Sequence, residues 1–125
     1  MATFTDRIVD DEAVLEVDIV DQNGLLLQQH VRAVIDTGAS MTVLQPCTAM
    51  QCGIPRYPSQ THPEENEEWC DFSFRHPVLG EFQVTALCRN LNHAHQPPIL
   101  IGQPELRQMI LTYDGVNAEF KLDRP

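Results

Sequence analysis

Apolar and polar residues alternate along much of this chain, and the breaks in that alternation are what mark its elements. From Ala13 to Asp21, Leu15, Val17 and Ile19 alternate with Glu16, Asp18 and Val20, the pattern of a half-buried strand. Gln22-Asn23-Gly24 is a turn signal, and Asn-Gly suits a hairpin. Leu25 to Val34 then returns as the partner strand. At Ala33-Val34-Ile35 the alternation stops in an unbroken apolar run, as expected of a strand buried on both faces. That run ends in Asp36-Thr37-Gly38-Ala39-Ser40, and Met41 to Leu44 reads as a second short strand.

Further along, Pro46 to Ile54 predicts a short helical turn, opened by Pro46 and stopped by Gly53. The interval Ile54–Trp69 is polar for most of its length, with two prolines and four glutamates between Arg56 and Glu68, and is expected to be an exposed, mobile loop. Trp69 to Phe74 and Glu81 to Leu87 alternate as strands about a turn at His76–Gly80. Asn90 to Pro98 is a polar loop. Ile99-Leu100-Ile101-Gly102 is another buried run, followed by a helix start at Gln103-Pro104-Glu105-Leu106 that is expected to run to about Met109. Ile110 to Gly115 reads as a strand and turn, and Ala118 to Leu122 as a last strand. Met1 to Glu12 has no period that assigns it to an element.

The end of the first buried run carries the candidate chemistry. A carboxylate there must find partners or hold a proton, because an unpaired buried charge costs several kcal/mol or more. Gly38 permits a tight turn and a close backbone approach, and the Thr37 hydroxyl can bond across it. Asp-Thr-Gly alone is also an ordinary turn sequence. The longer pattern is more specific: an apolar lead-in, Ala39-Ser40 after it, and a second apolar strand ending in Gly102 before a helix. Together these motifs resemble the retropepsin group of aspartic proteases, over roughly Val14 to Leu122.

That resemblance implies a mostly β fold, a closed β-barrel of the acid-protease-half type with one short C-terminal helix. It implies an aspartic endopeptidase with Asp36 as the catalytic residue and Thr37, Gly38, Ala39 and Ser40 as the active-site loop. Ile99, Leu100, Ile101, Gly102 and Trp69 would contact substrate. It also implies a hairpin flap over the cleft within the Ile54–Trp69 interval. A flap tip usually carries glycines, and this interval has none.

Hydrolysis by carboxylates needs two of them sharing one proton, one to activate water and one to polarise the carbonyl. The chain has one Asp-Thr-Gly. Asp114-Gly115 lacks the intervening Thr or Ser and reads as a turn. A two-fold axis supplies the second copy, so the resemblance implies a homodimer, with Thr37 bonding across the axis and an extended or unfolded peptide as substrate. No cofactor and no metal is expected. The alternative is a retropepsin-fold dimerisation or peptide-binding module with weak catalysis, suggested by the glycine-free interval.

Length, charge and cysteines bound these readings. At 125 residues one domain spanning 1–125 is expected. The net charge of -10 argues against nucleic acid and against anionic membrane surfaces. No apolar run approaches the ~18 residues of a membrane helix, and Met1 to Arg7 lacks a signal-like stretch, so a cytoplasmic location is expected. Cys47, Cys52, Cys70 and Cys88 lack zinc-site spacing and are expected as reduced thiols, with Cys70 and Cys88 at strand positions. His93-x-His95 lacks a third ligand.

Overall fold

The computed structural model describes residues 1–59, 66–90 and 97–125. Strand β1 (Ala2–Arg7) is followed by the hairpin of β2 (Val14–Val20) and β3 (Leu26–Ile35). Leu15, Val17 and Ile19 point into the core, as their alternation predicts. The hairpin turn is held by Asp21, whose Oδ1 accepts the N–H groups of Asn23 and Leu25 at 2.9 and 2.8 Å. Gly24 takes the left-handed conformation there, with φ of 83°. The ladder slips by one residue: Val17 faces Val31, but Ile19 faces Gln28. The extra residue bulges at His30, which sits at φ of 57°.

Past the Asp36 turn lie β4 (Val43–Leu44) and α1 (Pro46–Cys52), closed by a left-handed Gly53. Strands β5 (Tyr57–Pro58), β6 (Glu68–His76) and β7 (Gly80–Cys88) follow. Then come β8 (Ile99–Ile101), α2 (Gln103–Leu106), β9 (Ile110–Asp114) and β10 (Glu119–Arg124).

Six of these strands form a ring in the order β2-β3-β8-β4-β7-β6, closed where β6 pairs back onto β2. Phe72, Phe74, Phe82, Leu15, Ile19, Leu44, Ile99 and Ile101 fill its interior. β1, β10 and β9 form a separate three-stranded sheet. That sheet docks on the β6–β7 hairpin: Phe120 and Leu122 join the core, and the Arg124 guanidinium lies 3.8 Å from the centre of the Phe82 ring. Arg124 Nη1 also donates to the Leu79 and Glu81 carbonyls at 2.8 and 2.9 Å.

Met1 to Glu12, unassigned from the sequence, contains β1, in which Ala2 and Phe4 alone are half-buried. Two expectations are corrected. α2 ends at Leu106, and the chain to Met109 continues in tighter turns, Gln108 to Glu105 and Met109 to Leu106, both 3.1 Å. Two ends of the interval expected to be an exposed loop are held: Ile54 is buried, and Tyr57–Pro58 pairs with Trp69 and Glu68. The middle of that interval, 60–65 with His62, lies outside the described residues, as does 91–96 with His93 and His95.

Around the Asp36 turn the chain is drawn tight by β8, which lies parallel to β3 and antiparallel to β4. A Cβ at Gly102, just past β8, would sit 2.5 Å from the Met41 carbonyl oxygen and 2.9 Å from that of Ala39. Both are backbone atoms with no room to retreat. Gly102→Ala is therefore expected to destabilise the fold by at least about 2 kcal/mol. Thermal unfolding measures this, and a melting temperature equal to the parent's would contradict the packing.

His76 generates a second prediction. It is 3% exposed, its ring lies 4.4 Å edge-on from Phe4, and its Nδ1 accepts the N–H groups of Val78 and Leu79 at 3.1 Å each. Burial holds its pKa below the ordinary 6.5. The unfolded chain then binds the proton first, so stability falls as pH drops from about 6.5 through the folded value. His76→Asn keeps an acceptor for the turn but does not titrate. It should be less stable than the parent at pH 7 by about 1–3 kcal/mol, from the lost ring. Denaturant midpoints at pH 7, 6 and 5 should show that gap narrowing, and a constant gap would refute it.

Candidate active site

The turn after β3 is built by backbone bonds to β8 and to the helix that follows it. Asp36 N–H donates to the Ile101 carbonyl at 2.9 Å, which extends the β3–β8 ladder one residue past Ile35. Ala39 N–H donates to the Asp36 carbonyl at 3.2 Å and closes the turn. On the far side, Gln103 N–H donates to the Ala39 carbonyl at 2.9 Å, and Gln103 Nε2 donates to the Thr37 carbonyl. Asp36 itself is half-buried, with Oδ1 accepting the Gly38 N–H at 2.9 Å. A carboxyl is thus held at the open end of a rigid strand, aimed by its own turn.

The rest of the expected loop divides. Thr37, Gly38 and Ser40 are exposed, and Ala39 is half-buried. The Thr37 hydroxyl makes no hydrogen bond among the described residues, so the bond expected across its own turn is absent there. At Gly38, which permits a tight turn, a Cβ would meet only Asp36 Oδ1, at an ordinary 3.4 Å. Within one chain the crowded glycine is Gly102.

The β8 residues face two ways. Ile99 and Ile101 are wholly buried in the barrel core. Leu100 points the other way, into a second, smaller buried cluster with Val34, Val43 and Leu87. Ala39 of the Asp36 turn and the half-buried Trp69 pack against that cluster. The structure therefore joins Trp69, Leu100 and the Asp36 turn along one apolar ledge. The alternation of a strand accounts for the split, since residues one apart point to opposite faces.

Two residues that sequence reasoning did not single out complete the support. Thr42 is fully buried, and its Oγ1 accepts the Gly102 N–H at 2.9 Å while its hydroxyl donates to Glu105. Glu105 is 3% exposed. Burial raises its pKa, and the Thr42 bond opposes that rise. The available signal is a Glu at the third position of a helix that follows a buried strand, a place where an acid is equally expected from the helix dipole alone.

Other chemistry lies away from this turn. Asp114 caps its own turn, accepting from Asn117 Nδ2 at 2.8 Å and from the Val116 and Asn117 N–H groups at 3.1 Å. The Asn117 amide and backbone hold its carboxyl below its ordinary value. A cavity of about 450 Å³ near Asp21, Leu27, Ile54, Tyr57 and Asp71 does not include Asp36. All four cysteines are free thiols, and burial pushes Cys70 up to about 12. No helix among the described residues is long and apolar enough to cross a membrane.

No family model matches the chain, and no curated protein sequence matches it. Solved structures do. A retropepsin-like aspartic protease from Rickettsia conorii superposes with a TM-score of 0.67 at 16% identity, covering 96% of this chain and 89% of that one. The retroviral protease-like domain of Ddi1 from Leishmania major gives a TM-score of 0.46 at 16% identity, covering 82% of this chain and 83% of that one. At such identity the Rickettsia likeness speaks to architecture alone, and with the closed six-strand barrel it establishes that the fold of this chain is retropepsin-like.

Proposed function

We propose that the chain, acting as one domain over 1–125, is an aspartic endopeptidase whose reacting pair is two Asp36 carboxyls in a homodimer. The observation that supports this most is Asp36 itself: a half-buried carboxyl at the end of a parallel-paired strand, oriented by Gly38 N–H and by Ile101. One carboxyl cannot both take a proton from water and give one to a carbonyl, whereas two that share a proton can. Asp114 is committed to its turn, so the second carboxyl is assigned to a second chain.

The substrate in this reading is an extended peptide. Its backbone would pair as a strand, and its apolar side chains would lie on the ledge of Leu100, Val34, Val43, Leu87 and Trp69. One carboxylate of the pair takes a proton from the water as its oxygen attacks the peptide carbonyl, and the shared proton passes to the carbonyl oxygen. Collapse of the tetrahedral adduct then expels the amine with the proton taken from water, while one adduct hydroxyl returns its proton to the pair. Thr37, exposed on the turn, is assigned to bracing the two turns against each other.

Asp36→Asn tests the assignment directly. Its amide oxygen can still accept the Gly38 N–H, so the fold should survive while peptide cleavage drops at least about 100-fold. Equal cleavage by the variant would end the proposal. Binding of peptide or a pepstatin-type inhibitor without any cleavage by the parent would leave a peptide-binding module instead.

Dimerisation carries its own expectation. Two chains of net charge -10 repel at pH 7, and partial protonation of surface carboxylates relieves this. Association should tighten as pH falls toward ~5, and moderate salt at pH 7 should recover part of the gain by screening. Sedimentation velocity at both pH values and two salt concentrations, beside a cleavage assay, reads this. A chain that is monomeric throughout yet cleaves at full rate would exclude the symmetric pair.

A further inference from the structure

We infer that Glu105 is a positioning residue for the Asp36 turn, acting through the Thr42 hydroxyl on the Gly102 peptide. This rests on the reading of Asp36 as the reacting carboxyl. A carboxyl buried in a four-residue helix is costly, and an apolar side chain would fill the same space at no such cost. What Glu105 supplies is an acceptor. Thr42 has one hydroxyl proton and two lone pairs. By giving its proton to Glu105, it leaves a lone pair aimed at the Gly102 N–H, 2.9 Å away.

Gly102 is the point where that aim matters. The residue before it holds the Asp36 N–H through the Ile101 carbonyl, and the residue after it holds the Ala39 carbonyl through the Gln103 N–H. The Met41 and Ala39 carbonyls occupy the space that a Cβ at Gly102 would need. A rotation of the Gly102 peptide therefore moves both anchors of the Asp36 turn at once. Burial raises the Glu105 pKa and the Thr42 bond lowers it, so the hydroxyl contact is what ties Glu105 to its surroundings. A carbonyl oxygen in place of the carboxyl, as in Glu105→Gln, should serve equally.

The test uses the full chain with Glu105→Gln, Glu105→Leu, Thr42→Ser, Thr42→Val and the double variant Glu105→Leu/Thr42→Val. Peptide kcat and KM are measured, with amide hydrogen exchange at Asp36, Ala39, Gly102 and Gln103 and across β6–β7. Glu105→Gln and Thr42→Ser should keep kcat within about 3-fold, since the bonds survive. Glu105→Leu and Thr42→Val should each lower kcat by about 100-fold with little change in KM, the scale of a misplaced reacting group. The double variant should be no worse than either single, as expected of residues in one relay. Exchange at the four turn amides should quicken in both while β6–β7 stays protected.

Unchanged exchange and kcat in Thr42→Val would overturn the inference. So would a Glu105→Gln chain as impaired as Glu105→Leu. If Glu105→Leu does not fold, the Thr42 variants decide. If the parent cleaves no peptide, the proposed function fails, while the exchange arms still decide whether Glu105 holds the turn.

Discussion

The molecule depends on the insertion of β8 between β3 and β4. Its three residues make a parallel ladder on one side and an antiparallel pair on the other, and they complete the barrel ring. Ile99 and Ile101 fill the barrel core while Leu100 packs into a second buried cluster on the opposite face, so one short strand serves both clusters. Its last carbonyl and the residues just beyond it take up the backbone groups of the Asp36 turn. Barrel stability and the geometry of the candidate active site are thus set by the same residues. The strand cannot be loosened at one without the other.

Two buried titratable groups pull stability in opposite directions with pH. Burial lowers the His76 pKa from 6.5, so its share of stability is lost as pH falls from about that value. Burial raises the Glu105 pKa from 4.5, so its share is complete below that value and is lost as pH rises through the folded one. His76 lies where the terminal sheet meets the barrel, and Glu105 lies under the Asp36 turn. Acid therefore favours the support of the turn while straining the docking of the terminal sheet. Between 4.5 and 6.5 neither share is whole, since Glu105 loses its own upward from the first value and His76 loses its own downward from the second.

Most strands were legible because their side chains alternate. Leu15, Val17 and Ile19 announced β2, and the unbroken runs before Asp36 and Gly102 announced the two central strands. Asp36-Thr37-Gly38 was legible because a carboxyl ending an apolar strand conflicts with local physics. Other features left no local trace. β1 is mostly exposed and gains its order from pairing with β10, 112 or more residues away along the chain (Arg7 with Glu119). The bulge at His30 has no turn residue to mark it. The Thr42–Glu105 link joins positions 63 residues apart, and both residue types are ordinary where they stand. The direction of Ile99 and Ile101 needed a register that no run of three apolar residues contains.

Comparing the two motif glycines separates what one chain needs from what it offers. Gly102 is fixed by contacts inside the chain, because backbone carbonyls occupy the space of a Cβ. Gly38 is under no such demand: its φ is not left-handed, and a methyl group would rest in ordinary contact with Asp36. The Thr37 hydroxyl beside it is exposed and has no partner in its own turn among the described residues. Folding of one chain therefore explains Gly102 but neither the small residue at 38 nor the hydroxyl at 37. Both face outward from the turn that carries the half-buried Asp36 carboxyl. In the proposed homodimer, a second copy of the turn across a two-fold axis with a peptide between them would use all three.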